Sequence, residues 1–170
     1  MKTLIRSLVV NLVAAAALSL SGTASAAPVS TAFAVAGYEY AFTQTVGSFA
    51  GSAAGNAGDR GVWNARVEHD PLGSIPTYIN GGTFAMTTTA PDFVRGNFVH
   101  HGGRITTLDP GANCTNQRFL VAGRLEHVAT STTSGGSGLF SVTLTHYRFS
   151  LLGHCVIYAA RVRGRVSFLY

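Results

Sequence analysis

From Val156 to Tyr170 the chain alternates without interruption. Val156, Tyr158, Ala160, Val162, Gly164, Val166, Phe168 and Tyr170 hold the even positions, and Arg161, Arg163, Arg165 and Ser167 lie among the odd ones. Successive side chains leave a pleated strand on opposite sides, so a period of two sustained this long describes a strand with one dry face. A helix would scatter the three arginines around its circumference.

The preceding segment alternates in the same way, with Phe140, Val142 and Leu144 against Ser141, Thr143 and Thr145. A short turn (Leu151-Leu152-Gly153-His154) joins the two into an antiparallel hairpin. Continued parity carries His146 and Arg148 onto the apolar side. A register that keeps both apolar faces together sets Tyr158 beside His146 and Val156 beside Arg148. The plainer expectation is that the strand has left the core by residue 146 and both side chains are wet, because charged groups are rarely buried unpaired.

Residues 1–26 read as an export signal. Lys2 and Arg6 precede the apolar run LVVNLVAAAALSL, and Ala24-Ser25-Ala26 gives the small-residue pattern for cleavage after Ala26. The run is too short and alanine-rich for a membrane span of first choice. Removing it leaves ten arginines, no lysine and seven acids, a net charge of about +3 that is too small for a nucleic-acid footprint. The expected compartment is secreted or periplasmic, in a bacterial cell. Two cysteines, Cys114 and Cys155, are expected to pair in that oxidising setting. Closing a loop of about 42 residues would stabilise the fold by about 4 kcal/mol on the chain-entropy view.

The remaining chain is a succession of strand and turn signals. Residues 27–34 read as a tether, and residues 35–170 as a single domain. Val35 to Val46 is a first strand in which Tyr38, Tyr40 and Phe42 share a face opposite Glu39 and Thr43. The following GSFAGSAAGNAGDRG is expected to be a flexible loop with at most a weak strand near Phe49. Val62 to His69 is a strand carrying the only tryptophan, Trp63. Asn80-Gly81 and Gly102-Gly103 are tight-hairpin dipeptides, the latter between strands at Phe93–His101 and Arg104–Leu108. Arg118 to Ala129 is a further strand. Gly-Arg-apolar recurs at Gly103-Arg104-Ile105, Gly123-Arg124-Leu125 and Gly164-Arg165-Val166, and glycines within strands mark bends where a sheet curls. The expected fold is all-β: a meander of seven or eight antiparallel strands closed into a small barrel, with a β-sandwich second.

Three groups of residues could carry function. His146, Arg148 and Tyr158, with Phe119 and Val121 from a neighbouring strand, would offer an imidazole, a guanidinium and a phenol at a barrel mouth, suited to a small apolar or anionic ligand. The histidine pair His100-His101 and Glu126-His127 cannot chelate jointly within one strand, because neighbours face opposite sides, so no metal site is expected. Arg161, Arg163 and Arg165, joined by Arg118 and Arg124, form a basic outer stripe that could attract an anionic envelope component, although ordinary solvation accounts for it more simply. No hydrolase elbow, phosphate loop or paired-cysteine motif is present, and no cofactor is expected.

Gly135-Gly136-Ser137-Gly138-Leu139-Phe140, entering a long strand, is similar to the GGTG-strand approach of the dirigent and allene-oxide-cyclase barrel families. That resemblance implies a small antiparallel barrel with an apolar ligand cavity, and no catalytic residue is carried over with it. A second resemblance is to the last strand of bacterial outer-membrane barrels, since Tyr158, Val162, Val166 and Phe168 alternate up to the terminal Tyr170. In that reading the arginines would line a polar lumen. The leading expectation is an exported, non-catalytic binding or envelope-interaction module, with a small-ligand enzyme or pocket as the alternative.

Overall fold

The computed structural model describes residues 29–56 and 58–170, so the proposed signal segment lies outside the described residues. Eight strands follow one another: β1 (Ser30–Phe42), β2 (Val46–Gly55), β3 (Arg60–His69), β4 (Thr77–Thr88), β5 (Phe93–Asp109), β6 (Gln117–Ala129), β7 (Gly136–Leu151) and β8 (His154–Leu169). Each pairs antiparallel with the next, and β8 returns to β1, closing the barrel. Closure leaves no open sheet edge. The expected class is therefore the observed one, with residues 30–34 lying in β1 instead of in a tether.

Three turn signals are used differently from the expectation. The Gly/Ala/Ser run is mostly β2, because its small residues make room for Trp63. Gly37 pairs with Gly51 and Gly51 with Trp63, and a Cβ on Gly37 would come within 2.9 Å of the indole Cζ2. The indole Nε1 donates to Ser52 O at 3.0 Å, fixing the ring across this gap. Asn80-Gly81 does not reverse the chain. β4 runs through it, with Gly81 and Gly82 at positive φ (152° and 116°) absorbing a register shift against both neighbours. Gly102-Gly103 likewise lies inside β5. Phe98 pairs with Leu125 and Gly103 with Gly123 on the same partner strand, so the intervening residues form a bulge, with His101 at φ 52°.

The interior is apolar. Val162, Val166 and Phe168 point inward from β8 at 3%, 1% and 1% exposure, and Arg161, Arg163 and Arg165 point outward. This places the dry face inside and the arginines outside, the reverse of a lipid-spanning barrel, and overturns the outer-membrane reading. Because the strands alternate in direction, the turns at residues 43–45, 70–76, 110–116 and 152–153 gather at one end. Those at 56–59, 89–92 and 130–135 gather at the other. Cys114 and Cys155 stand at disulfide distance, Cα–Cα 5.4 Å, tying the β5–β6 loop to the start of β8 at the first of these ends.

Candidate functional site

Inside that first end, two ionisable side chains meet. Phe33, Val35 and Glu39 share the inward parity of β1, and Leu144 and His146 share that of β7. His146 Nε2 lies 2.9 Å from Glu39 Oε2, with the two side chains 4% and 5% exposed. β8 runs between their strands, and the residue it places opposite His146 is Ala160. A methyl group there lets carboxylate and imidazole meet over it. Gly47 performs the same service on the other side, since a Cβ on it would reach 2.7 Å from Glu39 Oε1. The ring of Phe42 stacks on His146 at 6.0 Å and Phe119 meets it edge-on at 5.5 Å. In such surroundings the pair must satisfy itself, because a lone charge would be heavily penalised.

A cavity of ≈ 40 Å³ adjoins the pair, with Phe42, Phe49, His69 and Leu144 completing its wall. His69 is 7% exposed, and its Nδ1 donates to Asp70 O at 2.7 Å. Beyond it, sharing Phe49, Val67, Val121 and Leu144, lies a second cavity of ≈ 50 Å³ with a wholly apolar wall. The first has room for a few waters or one small polar group, by the rule of about 10–15 Å³ per water. The arrangement can hold, donate or accept a proton next to an apolar chamber.

The residues expected to form a pocket are only partly brought together. His146 is 3% exposed, so the strand has not left the core, and Phe119 lies against it. Tyr158 does not join them. A register slip opposite Tyr147 and Arg148 pairs His146 with Ala160 and Arg148 with Ile157, and leaves Tyr158 63% exposed on the outer wall against Tyr147 and Phe149. Arg148 is a brace. Its Nη1 donates to Gly111 O at 3.2 Å and its backbone N to Asn116 Oδ1 at 3.3 Å, holding the loop that carries Cys114. The stripe Arg161, Arg163 and Arg165 is exposed, as are Arg118 and Arg124. His100 donates through Nδ1 to Asn80 O at 2.8 Å, away from the interior.

Two inward residues escaped the sequence reading. His69 continues the parity of Trp63, Ala65 and Val67, a signal that was present. Glu39 was masked by Tyr38, Tyr40 and Phe42, three aromatics that suggest a dry face but are each more than half exposed. A slip between Glu39 and Ala41 is what lets Phe42 lean back over the mouth.

Fold and site thus define a closed eight-stranded antiparallel barrel with a buried carboxylate–imidazole pair at one end. No protein-family model matches the chain, and neither a curated protein nor a solved structure shows significant similarity to it.

Proposed function

We propose that the chain is an exported binding module whose interior receives a small, mainly apolar molecule through the end carrying Glu39 and His146. The observation that carries this is the Glu39–His146 contact inside an apolar barrel, beside chambers that side chains do not fill. Burying an ion-forming pair gives little stability compared with hydrophobic packing, so its presence calls for a use. The ligand's apolar part would occupy the inner chamber and its one polar group would meet the pair or His69. The volumes restrict an unmoved interior to a few heavy atoms, and a larger guest requires Phe42, 55% exposed at the mouth, to swing aside. Export is supported by the signal-like residues 1–26 and by the cysteine pair at bonding distance.

Amide NMR of the mature chain, titrated with benzyl alcohol as an apolar probe bearing one hydroxyl, tests the reading. Saturable shifts at Phe49, Phe119 and His146 are expected in the wild type, in the weak range set by so few atoms. Ala160→Leu fills the gap over which the pair meets and should abolish those shifts while leaving the barrel folded. Overpacking there costs about 1–3 kcal/mol. Interior amides that never move, in either protein, would overturn it.

A further inference from the structure

The three Gly-Arg-apolar repeats are spread along the sequence, yet Arg104 on β5, Arg124 on β6 and Arg165 on β8 border one groove on the outer wall. The groove measures ≈ 660 Å³ and is also lined by Tyr78, His101 and Ser141. The β5 bulge raises His101 as one bank, and Gly103 paired with Gly123 keeps the floor low. Arg104 stacks its guanidinium over Tyr78 at 5.3 Å, which holds the charge at the rim.

From this groove the arginines continue in a line. Along β8, Arg165, Arg163 and Arg161 recur at alternate positions, about 6.6–6.8 Å apart by strand rise. Each stands in register with a hydroxyl on β7: Arg165 with Ser141, Arg163 with Thr143, Arg161 with Thr145. Arg118 closes the row beyond Thr145. On the other flank β1 presents Ala34, Ala36 and Tyr38, so the first two arginines are bordered by methyl groups alone. Among the described residues the ion pairs are Arg66–Glu68 and His146–Glu39, so no carboxylate neutralises any of these six arginines. Asp109 and Glu126 border the face, each without a guanidinium within ion-pair distance.

We infer that this face binds a linear polyanionic glycan, its carboxylates or sulfates taken by the arginine forks and its sugar hydroxyls by the Ser/Thr row. Regularly spaced charge on one side and regularly spaced guanidinium–hydroxyl pairs on the other are complementary. A single-stranded nucleic acid would want a continuous run of aromatic platforms for its bases. The neighbours of Arg163 and Arg165 are Ser, Thr and Ala, and the aromatics stand at the two ends of the row, Tyr78 and His101 at the groove and Tyr38 and Tyr147 beside Arg161. A bilayer would want a cluster of large apolar side chains on the same face to enter the acyl region. Beside Arg163 and Arg165, β1 offers Ala36 and Ala34 and β7 offers Thr143 and Ser141, with Leu139 and Tyr38 standing at opposite ends of the row.

The test is fluorescence anisotropy with a labelled heparin oligosaccharide, alongside neutral dextran, single-stranded DNA of matched charge and phosphatidylglycerol vesicles. Heparin binding is expected at low ionic strength, with dextran silent and the other two weaker. Arg163→Ala with Arg165→Ala should weaken it by about tenfold or more and lower the salt slope by about one per arginine removed. Arg60→Ala, on β3 away from the face, should change nothing. Absence of heparin binding, indifference to the double substitution, or a preference for DNA or vesicles would each overturn the inference. Thermal unfolding of each variant separates a lost surface contact from a lost fold.

Discussion

Around the end where residues 56–59, 89–92 and 130–135 turn, Phe33, Met86, Val94, Leu125, Val128 and Phe168 are each no more than 2% exposed. Around the opposite end the interior holds Glu39, His69 and His146 beside a cavity, and the chain there exposes Phe42, Leu72, Ile75, Leu151 and Leu152. The turns at 56–59, 89–92 and 130–135 contain no leucine, isoleucine, valine or aromatic residue. One end of the barrel is sealed with hydrocarbon and tipped with polar turns. The other is lined with ionisable groups and tipped with hydrocarbon. Stability and chemistry have been placed at opposite ends of the same strands, so a substitution can weaken one and spare the other.

The largest effect should come from the sealed end. Phe168 packs against Phe33 at 6.2 Å and Phe84 at 5.7 Å and is 1% exposed. Phe168→Ala should cost about 3–5 kcal/mol in urea unfolding. A loss under about 1 kcal/mol would mean that this end is not where the fold is held.

At the open end the sign of the effect depends on how many groups are removed. His146→Leu alone leaves the Glu39 carboxylate buried without its partner and should cost about 3–5 kcal/mol. Adding Glu39→Leu to it removes the second charge and should return stability to the wild-type level or raise it by about 1–4 kcal/mol. A double-mutant cycle in urea measures this directly. If the double variant is as unstable as the single one, the pair is a structural strut and the contrast between the ends fails.

What the sequence made readable follows the same division. Uninterrupted alternation in Arg118–Leu125 and Val162–Phe168 marked strands and their faces correctly, because nothing along them shifts the parity, whereas a bulge after Leu125 turns His127 outward and Val128 inward. The side chain placed on the wrong face lies at a bulge. One extra residue flips the side chains that follow it, so Tyr158 was expected inside and lies outside. Asn-Gly and Gly-Gly serve turns and bulges alike, and only the partner strand decides between them. Glu39 is 107 residues from His146. No local pattern announces a contact made across a third strand, and the alanine that permits it is silent in the sequence.

The smallest expected effect concerns the loop over the open mouth. Asp70 accepts from Asn80 Nδ2 and from Tyr78 N, both at 2.9 Å, and so ties the end of β3 to the start of β4. The Asn80 hydrogen bond, then that of Tyr78, holds the Asp70 carboxyl below its ordinary value of 3.8, with His101 and His69 adding to this and partial desolvation opposing it. A carboxyl lowered in the folded state contributes stability above its unfolded value. That contribution fades as the pH falls through the lower folded value, where both states bind the proton. Asp70→Asn removes the titration. Its unfolding midpoint should lie below that of the wild type at neutral pH, and the two should converge as the pH is taken under 3.8. Because the group is at the surface, the gap should be the narrowest of the series and should shrink with added salt. A gap that persists unchanged into strong acid would show that the Asn80 and Tyr78 contacts hold the loop without the charge.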